Sequence, residues 1–212
     1  TFERSNINRQ IHADERTLGQ NKASVIGEHL RAINPDLDLD VITEGVTPET
    51  IPSIIDGAEI LVNGMDQMRA SLMLERAARR ARRTIVDAWL TPYASVFVMT
   101  PDSPHWEEYL ELPTRGIPDD ELTEALCREA TRKEVQYTLS FGDPWKYITK
   151  DLVEGVVSGE VPRPSLGPVV WLSGVMMANE VFKLVVGLPT TNHVGIIYDQ
   201  YEHRMLLNGH RS

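Results

Sequence analysis

A short loop near the start of the chain collects residue types that suit phosphate binding. The segment SNINRQ contains Asn6, Arg9 and Gln10, and the segment GQNK ends at Lys22. The planar guanidinium of arginine matches phosphate oxygens in pairs, and lysine brings a compact charge on a flexible stem. The amide of Asn6 is suited to fixing a nucleotide or its phosphates by hydrogen bonds, and that of Gln10 to orienting the loop. These residues are the first candidates for a ligand-binding and catalytic set.

An aspartate at a predicted strand end completes the set. Asp66 closes the segment NGMD, directly after an apolar run that is typical of a buried strand. Ligands of open α/β sheets bind outside the carboxyl ends of the strands, and a carboxylate there is suited to holding Mg²⁺. Positioned cations and a metal are what a protein supplies when negative charge spreads over phosphate oxygens in a transition state.

Each of the three charged residues also has a purely structural interpretation. Arg9 could form a surface ion pair with Asp14 or Glu15. Lys22 could be a solvated residue of a first helical turn, although a cation there opposes the helix dipole. Asp66 could cap the helix that starts just after it. These alternatives stay open at the level of residue types and spacing.

Three further residues have side chains that could take part in chemistry. Cys127 lies in LTEALCREATRK, a predicted helix interior where a small, partly buried apolar residue is the usual role. His12 is interpreted as a loop hydrogen-bonding residue, because no carboxylate is obviously placed to orient its ring. The segment DAWLTPYAS at 87–95 contains Trp89 and follows a strand end, so it either lines a carboxylate pocket or forms an ordinary turn.

The elements that must position these residues follow from hydrophobic periodicity and from turn residues. The pattern predicts helices over 22–33, from 47 to about 57 and over 68–83, and strands over 37–41, 58–63, 83–88 and 93–100. Alternation of strands and helices at these lengths indicates βαβ units and a mainly parallel sheet. The last of these strands is expected to be antiparallel, because the connection before it is too short for a crossover helix.

The remainder of the chain divides into an insertion and a C-terminal part. Residues 101–167 are rich in proline, glycine and acids, with helices expected at 119–133 and 144–157. A helix at 168–186 is apolar on nearly every side, which indicates burial in the domain or against a partner. A two-stranded hairpin is expected at 193–207. We expect one domain over 1–212, with a nucleotide-binding part at 1–100.

Composition favours a cytoplasmic globular protein. A formal net charge of −10 disfavours nonspecific nucleic-acid binding through a basic face. No run approaches the roughly 18 apolar residues that span a bilayer, and the first ten residues lack an apolar signal-peptide core. The single cysteine excludes an internal disulfide and zinc sites with two or four cysteines. No segment matches the GxGxxG turn of a nucleotide-binding α/β domain, which leaves a nicotinamide-dependent oxidoreductase as a weak alternative.

Taken together, SNINRQ, GQNK, INPDLDLDV and NGMD resemble the ThiF/MoeB/HesA superfamily, the adenylating enzymes related to ubiquitin-activating enzymes. The segment GPVVWLSGVMMANEVFKLVVGL resembles the long helix of that family. The resemblance implies a Rossmann-like α/β domain that activates a carboxylate with ATP and Mg²⁺ as an acyl-adenylate and releases pyrophosphate. By similarity, Asn6, Arg9, Gln10 and Lys22 would bind ATP, Asp66 would hold magnesium, and Arg9, Lys22 and Asp66 would be catalytic.

The resemblance also carries expectations about the rest of the protein. Relatives begin with a βαβ unit that holds the glycine-rich turn, so this chain is expected to be a truncated form without that unit. The absence of paired cysteines for structural zinc favours an offshoot that adenylates something other than a sulfur carrier, as the tRNA-modifying dehydratases of the superfamily do. Expected substrates are a ubiquitin-like carrier-protein C-terminus, a peptide, or a small or tRNA-linked carboxylate.

Two alternatives accompany this interpretation. Ubiquitin-activating relatives carry a cysteine that accepts the activated carboxylate as a thioester, and Cys127 lies in the corresponding region, although its helical environment favours a structural role. The protein could also be a catalytically inactive scaffold or the partner subunit of an activating-enzyme heterodimer. A homodimer without membrane association is expected for the enzyme.

Overall fold

The computed structural model describes residues 1–89, 92–162, 164–191 and 195–207. Within these ranges the helices are α1 (Lys22–Ile33), α2 (Ile51–Asp56), α3 (Met68–Arg80), α4 (Trp106–Tyr109), α5 (Glu124–Thr138), α6 (Lys150–Ser158) and α7 (Gly167–Val185). The strands are β1 (Ile60–Val62), β2 (Thr84–Asp87), β3 (Ala94–Met99), β4 (Ile196–Asp199) and β5 (Arg204–Leu207). Short 3₁₀ turns cover Arg4–Asn6, Asp119–Glu121 and Pro144–Lys146.

The five strands form one mixed sheet in the order β1-β2-β3-β4-β5. The predicted α/β class is confirmed. The β1–β2 pair is parallel, and the other three pairs are antiparallel, so the share of parallel pairing is smaller than predicted. The antiparallel turn into β3 was expected, because residues 88–93 cannot hold the crossover helix that a parallel connection needs.

Helices cover both faces of the sheet because strand side chains alternate between faces. On one face, Leu72 and Leu74 of α3 pack with Ile85 and Phe97 in the larger core. On the other face, the small core of Val86, Val96 and Val98 is covered by Met176, Met177, Val181 and Leu184 of α7. Asp87 follows Ile85 by two positions, so its side chain points toward the α3 face.

The prediction of a strand over 37–41 is wrong. This extended segment joins no β-ladder in the described residues and instead runs beside α1. Val41 lies so close to Gly27 that an added methyl group there would meet its Cγ2 at 2.8 Å, and Arg31 donates to the Leu39 carbonyl at 3.4 Å. Of the alternating apolar residues, Val41 packs against α1 and Leu37 is exposed. The alternation therefore does not by itself make a strand, which also requires a partner.

Other predicted elements are present with shifted ends. α2 begins at Ile51 because Thr47 and Thr50 form a hydrogen-bonded turn before it, in which the Thr50 N–H donates to the Thr47 hydroxyl at 3.3 Å. α5 begins after Thr123, whose side chain accepts from the backbone N–H of Leu126. β4 and β5 confirm the C-terminal hairpin, although His193, its first predicted residue, lies outside the described residues.

The prediction for α7 was burial in the domain or against a partner, and within this chain only one side of the helix is buried. Its inner side packs on the sheet, while Trp171, Val175, Phe182 and Val185 are exposed. Among the described helices, α7 is also long and apolar enough to cross a membrane by length and composition alone, with 17% of its window buried. Core helices of soluble proteins pass the same test, so this property is weak support for a membrane span.

Candidate functional site

The loop at 5–10 is held in a compact N-terminal turn. Phe2 is buried and pairs with the segment before α1, because its N–H donates to the Gln20 carbonyl and its carbonyl accepts from Gly19, both at 2.9 Å. Asn6 is also buried, and its side-chain oxygen accepts from the Glu3 N–H at 3.0 Å. One side of the Asn6 amide is therefore occupied in shaping the turn.

Arg9 is directed by its own loop rather than by an ion pair. Its guanidinium donates to the Ser5 carbonyl and, at 3.1 Å, to the Asn8 side chain. The two acids proposed as surface partners are taken by other cations: Glu15 by Arg4 at 2.7 Å and Asp14 by Arg16. The structural interpretation of Arg9 as a partner of Asp14 or Glu15 is therefore wrong.

Lys22 and Gln10 lie on either side of this turn. Lys22 is the first residue of α1, and its ammonium lies 5.9 Å from the centre of the Phe2 ring. Asn21 caps the helix by accepting from the Ser24 N–H at 3.2 Å. Gln10 contributes its backbone, since its N–H donates to the Asn6 carbonyl at 2.9 Å.

The start of α7 holds this loop in place. The Trp171 indole donates to the Arg9 carbonyl at 2.6 Å, and the Asn8 amide donates to the Ser165 carbonyl at 2.9 Å. One half-turn further along α7, the Ser173 hydroxyl accepts from the Ser95 N–H at 3.0 Å at the start of β3. Because β3 is antiparallel to β2, its start lies at the carboxyl end of β2. The loop at 5–10 is thus fastened at the edge of the sheet where ligands of α/β proteins bind.

Asp66 projects from the turn that follows β1 at the same edge. Its side chain is exposed, and it makes no hydrogen bond or ion pair with a described residue. The N-cap of α3 is Gln67, and no side chain caps that helix. The capping interpretation of Asp66 is therefore wrong, and its carboxylate is free to bind a cation.

A recess lies between Asp66 and the interior of the domain. It encloses about 370 Å³, counted with the solvent at its mouth. Asp66 and Ser71 line it from the β1–α3 side, Asp87 and Trp89 from the end of β2, and Thr131 and Glu134 from α5. Residues 87–89 of the segment at 87–95 therefore line a recess, and its assignment as a carboxylate pocket stays a prediction.

Asp87 is the most tightly held carboxylate of this recess. It accepts from the Ala88 N–H at 2.7 Å, from the Trp89 indole at 3.0 Å and from the Asn63 amide at 3.2 Å. Burial nevertheless raises the pKa of Asp87 to about 7, and the nearby charge of Glu134 adds to this effect. Its three donors act in the opposite direction, because they favour the ionised form.

Two more acids lie behind Asp87 in the core. Glu75 is buried, and its Oε1 has no hydrogen-bond partner in the part of the chain that the structure describes. Burial together with the charges of Asp87 and Glu107 raises its pKa well above the ordinary value. Burial also acts to raise the pKa of Glu107, but the hydrogen bonds and charge of Arg76 outweigh it and leave that pKa lowered. The interior acids were missed by sequence reasoning, because nothing in the local pattern distinguishes a buried acid from a solvated one.

The residues present fit magnesium only in part. Within the described ranges, no three His, Cys, Asp or Glu side chains are grouped as a metal site. Mg²⁺ commonly binds through one or two carboxylates together with substrate phosphates, and Asp66 is available for such a role. Cys127 is not a lining residue of the recess; it packs against the core, and burial raises its pKa.

Comparison with known proteins supplies the context for this arrangement. The family model for the ThiF family matches residues 1–207. The chain belongs to the ThiF family. The suspected superfamily membership is thereby confirmed, and the loop at 5–10 and Asp66 lie in the part of the chain that the family model covers.

Two ThiF-family relatives from Escherichia coli (strain K12) illustrate the range of similarity. The sulfur carrier protein ThiS adenylyltransferase is 24% identical over 189 residues, which are 88% of this chain and 59% of that protein. The tRNA threonylcarbamoyladenosine dehydratase is 32% identical over 83 residues, which are 39% of this chain and 31% of that protein. The matched part of the chain spans 59% of the first relative and 31% of the second, which is less than two thirds of either.

A solved structure shows the same fold. The crystal structure of E. coli MccB with ATP matches 99% of this chain and 53% of that chain, with a TM-score of 0.63 and 14% sequence identity. At this identity the likeness concerns the fold alone.

Proposed function

We propose that the protein to which this chain belongs is an ATP-dependent adenylyltransferase that activates a carboxylate as an acyl-adenylate and releases pyrophosphate. The main support is ThiF-family membership across 1–207, together with a relative named as an adenylyltransferase. The placement of the loop at 5–10 and of Asp66 at one edge of the sheet agrees with this chemistry.

Each site residue has a role that its surroundings permit. Arg9 and Lys22 would bind the phosphates of ATP and stabilise the charge that develops on them during transfer. Asn6, whose side-chain oxygen shapes the turn, would present its amide nitrogen, and Gln10 would keep the loop in register. Asp66 would hold Mg²⁺, which neutralises phosphate charge when bound.

The substrate and the setting are also proposals. A carrier-protein C-terminus, a peptide or a small or tRNA-linked carboxylate each fits the reaction, and a tRNA-modifying role gains support from the dehydratase relative. We propose that the enzyme acts in the cytoplasm as a homodimer without membrane association and without structural zinc.

The test is ATP–pyrophosphate exchange with candidate carboxylates, using the complete coding sequence beside the 212 residues alone. Arg9→Ala or Lys22→Ala is expected to lower exchange about a hundredfold or more, the usual scale for losing one charge-stabilising group. Arg4→Ala is the matched control, because Arg4 lies in the same turn but only pairs with Glu15 at the surface. Exchange within a few fold of wild type in the Arg9 and Lys22 variants would remove both residues from the mechanism.

A second candidate function is a scaffold or partner subunit without catalytic activity. It is favoured by the exposed apolar side of α7, which a partner chain would cover. A folded protein that forms a complex and shows no exchange with any carboxylate would support it over the enzyme.

A further inference from the structure

We propose that Asp87 accepts the proton of an amine nucleophile that attacks the acyl-adenylate, so that the protein transfers its activated acyl group to nitrogen. This inference rests on the proposed adenylation and extends it to the second half-reaction. In that step the amine nitrogen forms a bond to the acyl carbon, the bond from that carbon to the phosphate oxygen breaks, AMP leaves with the electron pair, and the N–H proton passes to the Asp87 carboxylate.

The first support is geometric. Asp87 is 4% exposed, and three donors fix its carboxylate at the end of β2, yet it lines the recess whose outer rim carries Asp66. A general base must be held within reach of the reacting group, and a carboxylate locked by hydrogen bonds meets that requirement better than a mobile one. The proposed metal-binding carboxylate of Asp66 and the fixed carboxylate of Asp87 therefore line the same recess.

The second support is the electrostatic surrounding of Asp87. Acidic side chains surround it from several packed elements: Asp66 in the β1–α3 turn and Glu134 of α5 line the same recess, and Glu75 of α3 lies behind it, with Glu107 of α4 beyond Glu75. Burial, and after it the charge of Glu134, favour the protonated form and raise the pKa of Asp87 to about 7. A base whose pKa lies near the operating pH is the effective one for proton transfer.

The third support concerns the nucleophile. An attacking amine must lose a proton to give a stable amide, whereas a thiolate would attack without one. The chain's own cysteine is not placed for that reaction, because Cys127 packs against the core and burial raises its pKa. Cys127 is therefore not the acceptor, and a neighbouring proton acceptor is more useful to an amine than to a thiolate.

The test separates the two half-reactions, with a carboxylate that supports exchange in the wild type. Asp87→Asn is expected to lower AMP release to an added primary alkylamine by about a hundredfold or more, the typical scale of general-base catalysis, and to lower ATP–pyrophosphate exchange far less. Hydroxylamine, which is weakly basic and attacks without help, should still trap the activated acyl group as a hydroxamate in the variant.

A pH profile keeps the proposal testable if the Asn variant does not fold. Only the unprotonated amine attacks, so the rate is expressed per concentration of free amine at each pH. On that basis, amine-dependent AMP release by the wild type should rise through an apparent pKa near that of Asp87. Trp89→Phe removes a donor that favours the ionised carboxylate, so the rise should move to higher pH. Trp145→Phe, at an exposed tryptophan 47% accessible to solvent, is the control and should not move it.

The outcomes are distinguishable. Exchange that fails with every carboxylate overturns the proposed function and the role of Asp87 with it. If exchange succeeds, two results overturn the role of Asp87 alone. One is an equal loss of exchange and of amine transfer in Asp87→Asn, and the other is a pH profile that Trp89→Phe does not move.

Discussion

Arg76 joins three parts of the chain through one buried guanidinium. It pairs with Glu107 of α4 at 2.7 and 2.8 Å, with Asp119 at 2.7 Å, and with the carbonyls of Thr114 and Ile117 at 2.8 Å each. The hydrogen bonds that Arg76 donates to Glu107 are the main reason that the pKa of Arg76 is raised. This cation keeps Glu107 ionised beneath the proposed active site.

Removal of this cation should destabilise the fold strongly. Arg76→Met would leave Glu107 buried without its partner, which costs about 3–5 kcal/mol in comparable cases. Arg80→Met is the control, because Arg80 is exposed and reaches Asp119 only at 3.9 Å, so a change below about 0.5 kcal/mol is expected. Urea denaturation measures both, and equal losses in the two variants would contradict the prediction.

At the scale of single residues, part of the candidate site could be predicted from the sequence. Arg9, Lys22 and Asp66 could be selected because phosphate chemistry needs cations and a carboxylate at a strand end. Asp87 and Glu75 could not, because their unusual ionisation comes from burial by elements distant in the chain. The segment at 87–95 was singled out, but its position alone did not show that its first residue is the buried group.

The loop at 5–10 and α7 act as one structural unit at the scale of elements. Gly167 begins α7, and an added methyl group there would collide with the Asn8 carbonyl. Gly174 lies two turns later on the same helix, and an added methyl group there would meet nothing within 4 Å. The two glycines therefore offer a matched pair of substitutions in one helix.

Gly167→Ala should displace the loop that carries Arg9, whereas Gly174→Ala should not. We expect Gly167→Ala to lower ATP–pyrophosphate exchange about tenfold or more, since small misplacements of charged groups are costly. Gly174→Ala should leave exchange intact and stabilise the protein by about 0.5–1 kcal/mol, because alanine is the better helix former. The measurements are ATP–pyrophosphate exchange and thermal unfolding of both variants. Equal exchange activity in the two would show that the contact between Gly167 and the Asn8 carbonyl does not position Arg9.

Most elements were predictable because their signals are local. The Asn21 cap of α1, the apolar stripes of α1 and α3 and the apolar run of β2 lie within or next to each segment. The segment at 37–41 failed for the opposite reason: alternation reports burial on one side, and pairing depends on strands elsewhere in the chain. The one-sided exposure of α7 was likewise not readable, because its composition is apolar all round.

At the scale of the whole molecule, the exposed side of α7 forms a continuous apolar stripe. This apolar stripe consists of five exposed residues: Trp171, Val175, Ala178, Phe182 and Val185. Their spacing of four, three, four and three residues follows the heptad pattern with which helices pack against one another. The stripe carries no charge, so two copies could meet there despite a net charge of −10 on each chain.

The stripe predicts self-association that a single charge should disrupt. Phe182→Glu would bury a carboxylate between two α7 helices, so the variant is expected to sediment as a monomer where the wild type sediments as a dimer. Met205→Glu is the control, because Met205 on β5 is 57% exposed against 58% for Phe182 but lies off the stripe, and it should remain dimeric. Because Trp171 both begins the stripe and holds the Arg9 carbonyl, Phe182→Glu should also weaken exchange at low protein concentration. Analytical ultracentrifugation tests this. A monomeric wild type, or the same oligomeric mass for the wild type, Phe182→Glu and Met205→Glu, would show that α7 is covered by something other than a second copy.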